Sequence, residues 1–361
     1  MADPRLEQYA KLLVERCVDV QPGWQVLVIS MPLGRPLVDE VVRQIGRRGA
    51  YALVRLGFTH PSQESVWTSE APEELVGRLP DIDAYQYDTV DSYIVVLADE
   101  NTRTGLGVSP ERSARLGKAR MQHLEPFISG EKPWVGCQLP TQAYAQDAGM
   151  TLAQFEEFLY GAVLIDWEGL AERMRAIADR FDAASQVRIV GTGTDLTLSL
   201  EGRRVEVDAL GANLPGGEFF GSPVEDSAAG VIEFSEYPAC YRGHVVPGVR
   251  LRFEAGRVVD ASAAGDEEFL FAMLDADEGA RRLGELGIGC NPGIQRHTRN
   301  TLFDEKIEGT VHVAIGHGFG FLGGTNESSV HWDMVKDLRR GGQIELDGEV
   351  AQESGRWLLD D

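Results

Sequence analysis

Four of the seven histidines fall between residues 297 and 331: His297, His312, His317 and His331. The last opens the triplet His331-Trp332-Asp333. On a strand, residues i and i+2 share a face, so this imidazole and carboxylate converge as metal ligands do. A surface hydrogen-bonded pair has the same spacing, and the surroundings argue for the metal. Val311-His312-Val313-Ala314-Ile315-Gly316 sets a histidine inside an apolar strand, where a lone example is commonly a satisfied core residue. Glu285 is the lone acid of Leu283-Gly284-Glu285-Leu286-Gly287-Ile288-Gly289, and Glu218 follows a Pro-Gly-Gly bend and precedes two phenylalanines. Asp304 and Glu305 follow the apolar pair Leu302-Phe303. A buried lone carboxylate is costly unless it is paired or metal-bound. Several carboxylates, two histidines and no cysteine fit hard or borderline divalent cations. That ligand count suits two ions about 3.5–4 Å apart, bridged by a carboxylate and a water.

These residues need rigid strands beneath them. The early part of the chain reads as α/β. Asp3 and Pro4 start a helix, and the apolar runs Val26–Ile29, Tyr51–Leu56 and Tyr93–Leu97 alternate with helical stretches, which predicts a mainly parallel sheet. Ser109 and the Thr151/Gln154 capping box open further helices, and another runs from about Trp167 to Phe181. From about Gln186 the strands alternate in polarity, with hairpins at Ala255-Gly256 and Asp347-Gly348. Glu267 to Leu283 reads as one helix. The expected organisation is an N-terminal α/β domain over 1–184 and a C-terminal α+β metal-binding domain over 185–361 with mixed or antiparallel strands.

Composition narrows the partners. The chain has 361 residues, 43% hydrophobic and 25% charged, as in ordinary globular proteins. Its formal charge of −23 disfavours nucleic acid and anionic lipid as partners. Four scattered cysteines form no CxxC pair and point to a reducing compartment. No apolar run approaches the roughly 20 residues of a membrane helix, and no basic-then-apolar leader is visible. A cytoplasmic location is expected. There is no phosphate-binding GxxxxGK[ST], no HExxH and no GxSxG.

The stretches LPGGEFF, LGELGIG, LFDEK, GTVHVAIG and GGTNESSVHWDMVKDLR, in this order, resemble the metallo-aminopeptidase family M29, that of aminopeptidase T, AmpS and PepS. The resemblance covers nearly the whole chain. It implies a homodimer that removes N-terminal residues from small peptides with two divalent ions per chain (zinc, cobalt, manganese or magnesium). Carried over by motif, Glu218 would bind one ion and Glu285 would bridge both. Glu305, His312, His331 and Asp333 would complete the shells, with Glu308 a rival for Glu305. The proton shuttle would be Glu305, Glu308 or Glu285. The chain departs from the family at Phe319, where a tyrosine is expected seven residues after the strand histidine. Loss of that hydroxyl removes a donor from the site; His317, two residues away, reads as a surface histidine, with a substitute role the other reading. Two other readings compete. Related iron dioxygenases that open dihydroxypyridine rings use two histidines and one carboxylate, but carry histidine in place of Glu285. A non-catalytic descendant has only Phe319 in its favour.

Overall fold

The computed structural model describes residues 3–58 and 65–358. The chain forms two compact units, Met1–Leu164 with Leu210–Pro215, and Ile165–Ala209 with Gly216–Asp361. In the first unit five parallel strands lie in the order Tyr51–Leu56, Gln25–Ser30, Ser92–Leu97, Trp134–Gln138 and Asn213–Leu214. Val26, Leu27, Val28, Ile94 and Val96 are fully buried, as continuous apolar runs in a sheet covered on both faces should be. Helix Arg35–Arg47 turns Leu37, Val38, Val41 and Ile45 inward. The caps expected at Asp3, Ser109 and Thr151 all form, the last as a complete capping box. The edge strand Tyr51–Leu56 differs from the others: Tyr51, Leu53, Val54 and Leu56 are exposed.

The second unit holds two larger antiparallel sheets. One has eight strands, from Arg257–Ser262 at one edge to Arg356–Trp357 at the other. The other has five, in the order His331–Asp337, Thr310–Gly316, Leu283–Gly289, Glu218–Gly221 and Val205–Asp208. Strand alternation gives this smaller sheet two unlike faces. Leu286, Ile288, Val311, Val313, Ile315, Trp332 and Met334 fall on one face and are buried. On the other, small residues (Gly287, Gly289, Ala314, Gly316) stand among acids and histidines.

Two expectations shift. The units divide at Leu164/Ile165, ahead of the boundary expected at 184. Helix Trp167–Ala183 belongs to the second unit because its apolar stripe packs there: Phe181 meets Phe219 edge-on at 5.0 Å and Trp357 at 5.9 Å. The helix expected over 267–283 stops at Leu274. Asp277 ends it by drawing the chain into a turn. Its carboxylate accepts from Ala280 N at 3.0 Å, Ser328 Oγ at 2.8 Å, and Ser329 N and Oγ at 2.7 Å each. Leu283 then begins a fully buried strand instead. Among the described residues no helix is long and apolar enough to cross a membrane.

Asp277 generates a stability prediction. Burial pushes its carboxyl up, but the donors from Ser329, Ser328 and Ala280 outweigh this and hold it below the usual carboxylate range. Its contribution is therefore present above the unfolded carboxyl pKa of about 4 and lost as pH falls through the lower folded value. Asp277→Ala should cost about 2 kcal/mol at pH 7, in the range for hydrogen bonds to a charged group. Urea unfolding at pH 7 and pH 3 measures this, and an equal midpoint for mutant and parent at pH 7 would refute it.

Candidate metal centre

The register explains how five distant residues meet. Ala314 pairs with Glu285 on one side and Asp333 on the other, so the two acids flank a side chain of one methyl group. His312 pairs with Gly287, and Gly316 with His331. Glu218 pairs with Gly289 on the far side of the central strand. Glycine at 287 is a spatial requirement, because a Cβ there would lie 2.0 Å from His312 Nε2. Gly217, just before Glu218, has φ +109°, a conformation side chains disfavour, and its open face lies against Asn291.

Glu285 sits at the centre. Its Oε1 lies 3.3 Å from His312 Nε2, and its Oε2 lies 3.1 Å from His331 Nε2. His312 Nε2 is also 3.4 Å from Glu218 Oε2, and His331 Nε2 is 3.7 Å from Asp333 Oδ1. Two groups of potential ligands result, Glu218–Glu285–His312 and Glu285–His331–Asp333, each with its donor atoms within 4.8 Å of one another. They share Glu285. Glu218 Oε2, His312 Nδ1 and Asp333 Oδ1 are buried with no hydrogen-bond partner. Two of these are carboxylate oxygens aimed into the cluster, which is the donor chemistry a hard or borderline divalent cation takes.

The surroundings orient the rings. His331 Nδ1 donates to the His317 carbonyl at 2.8 Å, which turns Nε2 toward Glu285. His317 thus contributes its backbone, while its side chain is exposed. Burial pushes Glu285 up, but the imidazoles of His312 and His331 prevail and hold it at about 2. Burial lowers both histidines, but Glu285 and neighbouring carboxylates raise His312 to about 9 and His331 to about 10. Asp333 is raised, by burial first.

Glu305 stands apart from both ligand groups. It follows the short helix Thr301–Asp304, which Asn300 caps, and it ion-pairs with the buried Lys306. Burial and then the Glu218 carboxylate push it up to about 8. Asp304 is structural, accepting from Thr298 N at 2.6 Å, Thr298 Oγ at 2.9 Å and Asn300 N at 2.9 Å. His297 Nε2, 3.1 Å from Asp304, is occupied there. Glu308 is partly exposed and lies 3.9 Å from Arg173. Glu305 and Asp333 both line a cavity of about 10 Å³, roughly the room for one water. Phe319 stands where the tyrosine was expected. Its ring packs 5.4 Å from His331, 5.1 Å from Phe220 and 5.7 Å from Phe321, and its backbone N donates to Ser222 Oγ at 2.8 Å. Lys306, fully buried and 2.8 Å from Glu218 Oε1, belongs to the site although no spacing in the sequence marks it. Its only signal is its place directly after Glu305 in LFDEK.

An α/β unit followed by an antiparallel unit, with paired carboxylate–histidine groups on one sheet face, defines the class: a metal-dependent enzyme. Residues 2–357 match the thermophilic metalloprotease family M29, and the chain belongs to that family. It is therefore a metal-dependent hydrolase of peptide bonds. Aminopeptidase T of Thermus thermophilus is 34% identical, over 98% of this chain and 98% of its own length. The solved wild-type AmpT structure from the same organism superposes with a TM-score of 0.84 over 99% of both chains, at 23% identity. The 2,5-dihydroxypyridine dioxygenase of Pseudomonas putida KT2440 shares the fold, with a TM-score of 0.63 over 99% of this chain and 97% of its own, at 16% identity.

The contact between Gly287 and His312 yields a sharp test. Gly287→Ala should displace the imidazole and lower uptake of cobalt or zinc by about 10-fold or more, the size of effect that disturbing ligand orientation produces. Gly161→Ala is the control, since Gly161 lies in helix Leu152–Val163 with open space around it. Equilibrium dialysis reads both, and parental uptake by Gly287→Ala would contradict the geometry.

Proposed function

We infer that the chain is a metal-dependent aminopeptidase with two divalent ions, removing N-terminal residues from small peptides. The observation that carries the reading is Glu285, each of whose oxygens faces a different histidine, so that two ligand groups share one carboxylate. Glu218, Glu285 and His312 would hold one ion, and Glu285, His331 and Asp333 the other. Such a pair, when bound, supplies a Lewis acid for the scissile carbonyl and a water acidic enough to attack at neutral pH. The chain's own residues supply the rest. His331 is held by the His317 carbonyl in the orientation that presents Nε2. Glu305, held by the Lys306 ammonium, is the acid that lies outside both ligand groups, beside the water-sized cavity it shares with Asp333. It is the group placed to take up a proton and pass it to the leaving amine, while Glu285 is committed to both histidines. The Phe220–Phe319–Phe321 cluster keeps the side of His331 apolar and offers no hydroxyl there. The four widely spaced cysteines, with no CxxC pair among them, support a reducing, cytoplasmic setting.

Glu285→Ala and His331→Ala should each reduce hydrolysis of aminoacyl p-nitroanilides by at least about 1,000-fold in metal-loaded protein, since each removes a group on which the reacting centre depends. Metal stoichiometry is measured on the same samples. Two ions per chain with activity lost in both variants supports the reading. One iron per chain would favour ring-cleaving oxygen chemistry, and bound metal without any peptidase turnover in the parent would favour a binding protein.

A homodimer belongs to the same reading. Its support is the Tyr51–Leu56 edge strand, which leaves Tyr51 67%, Val54 46% and Leu56 53% exposed at an edge that no further strand pairs among the described residues. An exposed apolar edge is a template for pairing with another chain, and a second copy of this chain is one such cover. Leu53→Glu with Val54→Lys should convert a dimer to monomer in light scattering, leaving the aminopeptidase site untouched. An unchanged mass would remove this strand from the interface.

A further inference from the structure

Lysine is seldom fully buried, yet two lysines here have no exposed surface, Lys306 and Lys336. Lys336 has an ordinary arrangement: its ammonium donates to the Thr192 carbonyl at 2.8 Å and pairs with the less buried Glu236 at 2.9 Å. Lys306 is different. Its ammonium lies between two acids of the candidate centre, 2.8 Å from Glu218 Oε1 and in contact with Glu305 Oε1. Its backbone is fixed as well, its N donating to the Phe303 carbonyl at 3.1 Å and its carbonyl accepting from Asn291 N at 3.0 Å. Asn291 in turn donates to the Gly216 carbonyl at 2.9 Å, two residues before Glu218. The side chain and the main chain of Lys306 are thus both tied to the segment that carries Glu218.

The division of Glu218 follows. Oε1 is taken by Lys306, whereas Oε2 has no hydrogen-bond partner and lies 3.4 Å from His312 Nε2. A carboxylate that binds a cation does so through one oxygen or both, and a fixed hydrogen bond to one oxygen orients the other as the ligand. We propose that Lys306 is a positioning residue of the metal centre: it limits Glu218 to a single ligating oxygen and anchors Glu305 beside the site by the same ammonium. The inference rests on the two-ion aminopeptidase reading. It adds that the geometry of that centre is set by a cation of the chain itself.

The experiment uses cobalt(II) as the probe, because its visible absorption falls as coordination number rises. Intensity and stoichiometry are read on the full chain, together with kcat and KM. Lys306→Met frees Glu218 Oε1 and Glu305. The expected result is a weaker visible band, about 10-fold or more change in affinity for one of the two ions, and a fall in kcat with KM little changed. Glu305→Gln should keep the parental spectrum, since Lys306 still holds Glu218, while losing turnover. Lys306→Arg, which keeps the charge, should restore the band at least in part. A folded Lys306→Met with the parental spectrum and affinities overturns the proposal. Removing one member of a buried ion cluster can unfold a protein. If Lys306→Met does so, Glu305→Gln/Lys306→Met is read instead: a weakened band supports the proposal and a parental band overturns it. Failure of the parent itself to take up cobalt overturns the aminopeptidase reading and this inference together. Two-ion uptake by the parent with an unaltered lysine variant overturns this inference alone.

Discussion

Like charge confined to an apolar sheet is the constraint from which the second unit is built. Glu218, Glu285, Glu305 and Asp333 are withdrawn from water within one small volume. Each would repel the others strongly if left uncompensated, since the low dielectric that makes buried pairs strong also makes unpaired charges costly. The chain answers with positive partners placed among them: His312 between Glu218 and Glu285, His331 between Glu285 and Asp333, and Lys306 between Glu218 and Glu305. Acids and bases alternate along a connected series. The cluster has the carboxylate and imidazole donors that divalent cations take.

The sheet accommodates this by division of labour between its faces. Trp332, Val313 and Leu286 point one way and provide the apolar burial that stabilises the strands. The opposite face is kept low by Gly287, Gly289, Ala314 and Gly316, so that long polar side chains from neighbouring strands can lean over them. A strand such as Leu283–Gly289 is therefore apolar for stability at alternate positions and small for chemistry at the others. The nearby turn at Asp277 fastens Ser328 and Ser329, just ahead of His331, to the connection that leads into the central strand.

Much of this is legible in the amino-acid sequence, for a definite reason. A period of two places His331 and Asp333 on one face whatever the surroundings, and an acid alone in a glycine-rich apolar run has few roles other than ligand or ion pair. The parallel sheet of the first unit was legible from its uninterrupted apolar strands. What escaped detection depended on contacts distant in sequence. The apolar residues after Glu267 keep helical spacing, and nothing local reveals that Asp277 will bind Ser328 and Ser329 and end the helix. Helix Trp167–Ala183 precedes the change in texture near 186, yet its packing on Phe219 and Trp357 assigns it to the later unit. Lys306 looks like any solvated lysine, because only the fold shows that its ammonium ends between Glu218 and Glu305. Glu305 is grouped with the ligands by its motif, and it lies beside Lys306, outside the two closest groups of donor atoms.

The contact between Gly287 and His312 has a consequence for the history of such a chain. Neither position can drift alone: a larger residue at 287 has no room while the imidazole is present, and a smaller one at 312 leaves a void over the glycine. A route that replaces Gly287 or His312 must pass through a paired replacement, or through an intermediate in which the imidazole is displaced. Substitutions at these two strands should therefore be inherited together, and the barrier between alternative chemistries on this scaffold lies in packing as much as in the choice of ligand.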